Sequence, residues 1–61
     1  MDRSTERIDG VTPNGGAYMV AFFRSADGTP APKSQAEFVE ITEYDVNDVA
    51  IHRTYGVIEK I

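Results

Sequence analysis

The stretch EFVEITEYDVNDVAIHRTYG, Glu37 to Gly56, decides the fold. Two runs rich in β-branched and aromatic residues flank a cluster of Asp and Asn, the pattern of a hairpin that turns between Asp45 and Asp48. With Val46 and Asn47 as a two-residue loop, the register runs Tyr44 with Val49, Thr42 with Ile51, Glu40 with Arg53 and Phe38 with Tyr55. Aromatic then meets aromatic and opposite charges meet, each pair worth ~0.2 to 1 kcal/mol over an alanine pair. The other face pairs Glu43 with Ala50, Ile41 with His52, Val39 with Thr54 and Glu37 with Gly56. The cost falls on Val46, a poor residue for the positive φ of such a turn, which leaves a longer loop as the alternative. Moving the loop to Asn47-Asp48 pairs Thr42 with Arg53 and Glu40 with Tyr55. That shift loses the charge match, so the first register is preferred.

Upstream of the hairpin, Ser34-Gln35-Ala36-Glu37 has the form of a helix-starting capping box. The residues that follow, Phe38, Val39, Ile41, Thr42 and Tyr44, are strand formers, and Glu37, Glu40 and Glu43 would crowd one face of a helix. A strand is therefore preferred, with room for one helical turn over 32–37. Ala17 to Ser25 carries an unbroken apolar run suited to a strand covered on both faces, with Tyr18, Val20, Phe22 and Arg24 on one side and Ala17, Met19, Ala21 and Phe23 on the other. Asp27-Gly28, Pro30 and Pro32 make the connection a turn and a stiffened loop. Residues 1–16 end in GVTPNGG and read as a flexible N-terminal arm, disordered over Met1 to Glu6 and tacked down by Ile8 and Val11.

The expected fold is all-β or mainly β: a small three-stranded antiparallel meander over Ala17 to Ser25, Ala36 to Asp45 and Val49 to Ile58. It forms a single domain, 17–61, behind the arm. A chain of 61 residues buries only ~60% of the surface its unfolded form exposes. Cysteine is absent, so neither a disulfide nor a thiolate metal site supplements the core. A sheet with two apolar faces and open edges invites a second chain. A homodimer is expected, packed face to face through Phe22, Phe38 and Tyr55 or joined by strands pairing across subunits.

Charge and motifs narrow the function classes. The net charge is −4. Residues 1–36 balance Asp2, Glu6, Asp9 and Asp27 against Arg3, Arg7, Arg24 and Lys33, so the excess lies in 37–61. An acidic chain repels phosphate backbones, and direct nucleic-acid binding is not expected. No apolar run is long enough to span a membrane and the charged start lacks a signal-peptide core, so a cytoplasmic location is expected. Asp45 and Asn47 begin a calcium-loop pattern that lacks its later glycine and glutamate, and the glycines have no nucleotide-binding spacing. No metal or cofactor is expected. His52, diagonal to Glu43 in the preferred register, offers an acid or base, but no serine or threonine sits in a nucleophile motif. The reading is a non-catalytic interaction or regulatory module. Its competitors are an acidic decoy presenting Glu37, Glu40, Glu43, Asp45 and Asp48 to a basic protein, and a small enzyme using His52.

Overall fold

A computed structural model describes residues 3–59. Met1 and Asp2 of the expected arm, and Lys60 and Ile61, lie outside the described residues. The chain is mainly β, with strands β1 (Thr5–Ile8), β2 (Tyr18–Arg24), β3 (Phe38–Tyr44) and β4 (Ala50–Val57) and, among the described residues, a single 3-10 turn at Lys33–Gln35. They form one antiparallel sheet in the order β1-β2-β3-β4, so each strand pairs with its neighbour in sequence.

The sheet thus has four strands where three were expected. The fourth comes from the segment taken for an arm: TERI has little apolar content, yet it pairs Thr5 with Phe22 through Ile8 with Met19. The 3-10 turn falls inside 32–37, but the capping box is not used. Pro32 precedes the turn without a side-chain cap, and Ser34 lies within it.

The hairpin register also differs from the preferred one. Asp45 donates its amide to the Val49 carbonyl (2.9 Å), which leaves Val46, Asn47 and Asp48 as a three-residue loop. This relieves Val46 of a positive φ and moves that burden to Asp48, at φ 62°. An irregularity then pairs Glu43 with His52 and Tyr44 with Ala50, so Ile51 is an extra residue in β4. Loop and bulge each shift the pairing by one residue, and together they keep the side chains from His52 onward on their faces. The result is Thr42 with Arg53 and Glu40 with Tyr55. The charge match survives on the diagonal, with Arg53 Nε 3.8 Å from Glu40 Oε2.

Strand alternation divides the sheet into two faces. The second face carries Met19, Ala21 and Phe23 of β2, Val39, Ile41 and Glu43 of β3, and Ile8 of β1. Here lies the core, in which Ala21, Phe23 and Ala36 are buried and Ile8, Val39, Ile41 and Ile58 pack against them. The segment from Ala31 to Ala36 covers one end of this face, and Lys33 reaches across it to Glu6 (3.6 Å) and over the Phe23 ring (5.8 Å). The first face carries Tyr18, Val20, Phe22 and Arg24, then Phe38, Glu40, Thr42 and Tyr44, then Arg53, Tyr55 and Val57.

Candidate functional site

Glu43 is the least expected side chain in the molecule. It ends β3 on the second face, only 1% exposed. A buried carboxylate is costly unless its oxygens are satisfied, and the loop between β1 and β2 satisfies them. Gly16 donates its amide to Oε2 (2.7 Å), the Asn14 amide lies 3.2 Å from both oxygens, and Asn14 Nδ2 donates to Oε1 (3.1 Å). Burial pushes the carboxyl upward, but the Asn14 side chain, the Gly16 and Asn14 amides and the charge of His52 outweigh it and hold the group below its ordinary value. The approach is so close that a Cβ on Gly16 would lie 2.7 Å from Glu43 Cγ and Oε2 and 2.8 Å from the Tyr44 carbonyl oxygen. Glu43 therefore clips the long loop to the sheet.

The first face changes character along its length. Near the β3–β4 turn, Tyr18 and Tyr44 stack at 5.2 Å, Arg7 lies 4.7 Å over the Tyr18 ring, and the Tyr18 hydroxyl donates to Asp48 Oδ1 (2.6 Å). That bond favours the protonated phenol and raises the Tyr18 pKa. In the middle, Thr42 is completely buried and donates to Glu40 Oε2 (3.3 Å), next to the Glu40–Arg53 pair. At the far end, Phe38, Tyr55, Gly56 and Val57 line an open groove of about 300 Å³ together with Arg24 and Gly28.

These placements separate the sequence candidates. Of the dimer trio, Phe38 and Tyr55 meet in the groove, whereas half-buried Phe22 stands opposite Glu40, which intervenes between it and Tyr55. Of the carboxylates, Glu37 is exposed beside β3, Glu40 is paired with Arg53 on the first face, and Glu43 is enclosed on the second. Asp45 accepts from the Asn47 (2.8 Å) and Val49 (3.0 Å) amides, and Asp48 accepts from Tyr18. His52 is exposed and directly opposite Glu43, whose oxygens are turned to the loop. Among the described residues no group of His, Asp and Glu is placed to hold a metal ion, and no helix is long and apolar enough to cross a membrane. The clip and the groove were both missed in the sequence. The signal for the clip was available: a carboxylate alternating with Val39 and Ile41 on a core face requires donors, and Asn14-Gly15-Gly16 supplies them.

Comparison with known proteins finds no matching family model, no matching curated protein and no matching solved structure.

Proposed function

We propose that this chain is a non-catalytic protein-interaction module that acts as a homodimer. One observation carries the reading: β4 is an edge strand exposed at every residue from Ala50 to Val57, with Ile51, Tyr55 and Val57 at 44%, 74% and 72%. Exposed apolar side chains along an unpaired sheet edge are a docking feature or an aggregation hazard, and a stable small protein manages them by covering them. The Phe38–Tyr55–Val57 groove adds an apolar floor beside that edge.

The acidic-decoy reading has less to draw on, because its carboxylates are split between two faces and Glu43 is enclosed. Sedimentation equilibrium at micromolar concentration tests the homodimer. The wild type should show the dimer mass, and Tyr55→Asp with Val57→Lys should show the monomer mass with an unchanged far-ultraviolet spectrum. A wild-type monomer at every concentration ends this reading.

A further inference from the structure

The mode of association can be read from the edge itself, on the footing of the homodimer proposed above. Ile58 donates its amide inward to the Glu37 carbonyl (2.9 Å). Backbone groups alternate in direction along an antiparallel strand, so those of Gly56 and Thr54 also turn toward β3 while those of Tyr55 and Arg53 face outward. The outward edge therefore offers donors and acceptors that no other strand meets among the described residues.

Of the two edge strands, β4 is also the one suited in charge to meet itself, since β1 carries Glu6. β4 carries Arg53 and His52 and no carboxylate, although the chain as a whole has a net charge of −4. Two copies joined at β4 keep their acidic residues apart. A two-fold axis perpendicular to a continuous antiparallel sheet must pass through a paired residue, because residues directly opposite share a face. Centring on Arg53 sets two guanidinium groups against each other, and centring on His52 or Tyr55 shortens the overlap. Centring on Thr54 keeps the overlap from Ile51 to Val57 and sets Thr54 against Thr54. It also places Arg53 opposite Tyr55 of the second copy, twice. Their outward backbone groups then exchange hydrogen bonds, and each guanidinium finds an aromatic ring.

We infer that β4 pairs antiparallel with β4 of a second copy about Thr54, joining two four-stranded sheets into one continuous sheet. In that register Thr54 and its mate form a non-hydrogen-bonded pair with Cα atoms ~4.5 Å apart, within disulfide reach. The chain has no cysteine to interfere. The test compares Thr54→Cys with His52→Cys, which lies on the same face but roughly 13 Å from its own mate along the paired strands. Under mild oxidation Thr54→Cys should form the inter-chain disulfide at least about ten-fold faster than His52→Cys. Amide exchange at Arg53 and Tyr55 should slow as wild-type concentration rises into the dimer range. A wild type that sediments as dimer while the two cysteine variants cross-link at equal rates overturns this pairing and leaves the homodimer standing. A wild type that sediments only as monomer overturns both. Unchanged exchange at Arg53 and Tyr55 across the association range overturns the pairing on its own.

Discussion

β1 and β4 are the two edges of one sheet, and they are finished in opposite ways. β1 is four residues long. Just before it, Ser4 accepts the Phe23 amide (2.7 Å); within it, Glu6 meets Lys33 and Arg7 lies over Tyr18. Short length and charge are the ordinary means of blunting an edge. β4 is eight residues long, exposed throughout, and its one full charge leans toward Glu40. The β2–β3 loop reaches β1 through Lys33 and Glu6, while β4 keeps its residues exposed.

Breaking the covered side should have the largest effect. Phe23→Ala removes the biggest core side chain, only 6% exposed, at a cost of ~3 to 5 kcal/mol. A domain of this length holds roughly 3 to 9 kcal/mol in all. The variant should lose most of its cooperative thermal transition by circular dichroism.

Releasing the loop that leads from β1 to β2 comes next. Gly16→Ala and Glu43→Gln should each lower the thermal midpoint by roughly 5 to 10 °C. The two should also separate by pH. The folded carboxyl of Glu43 lies below its ordinary value of 4.5, so the folded state binds fewer protons. The stability it contributes is complete above that value and is lost as pH falls through the lowered one. Glu43→Gln should flatten this decline. Asp27, held at about 2 by Ser25 and Thr29 against an ordinary value of 3.8, adds a decline of the same sign between those two values. Thermal midpoints of Glu43→Gln and Asp27→Asn recorded across that range separate the two contributions.

On the open side the same measurement should barely move. Arg53→Gln loses a pair that is exposed on its arginine side and adds no like charge beside Glu40, a loss of ~0 to 1 kcal/mol to the fold. Its effect should appear in association instead, as at least a roughly ten-fold weaker dimer by sedimentation once the ring contact is lost. Asp48→Asn sits at the small end, within ~0.5 kcal/mol, because Asn tolerates the same positive φ and still accepts from Tyr18. The Tyr18 phenol should then titrate closer to the ordinary tyrosine value of 10.0, read from its ring carbon by NMR.

The asymmetry between the edges also explains what the sequence made legible. β2 was readable residue by residue because its aromatic and β-branched run is long and its alternation holds without interruption. β3 was readable as a strand because side-chain preference there outweighs a four-residue capping pattern. The register of β4 was not readable, since the loop and the bulge at Ile51 each add a residue that no local preference announces. β1 was hidden because TERI gains its conformation from pairing, not from its own residue types. Glu43 was seen as a charge on a hairpin, whereas its role depends on donors far away in the chain.

Three turns in this molecule are built alike, at Thr12–Gly15, Ser25–Gly28 and Asp45–Asp48, each closed by an amide donating to the carbonyl three residues earlier and each ending at positive φ. They have a kinetic consequence. All three lie between strands adjacent in sequence, and the β3–β4 connection, with five residues between Tyr44 and Ala50, is the shortest, so that pairing closes over the smallest loop and forms early. The Glu43 clip is different, spanning 27 residues to Gly16 and 29 to Asn14. It should form after the folding barrier has been crossed. Glu43→Gln is therefore expected to speed unfolding while leaving the folding rate nearly unchanged, and the two arms of a denaturant chevron would show it. The clip then acts chiefly as a brake on unfolding.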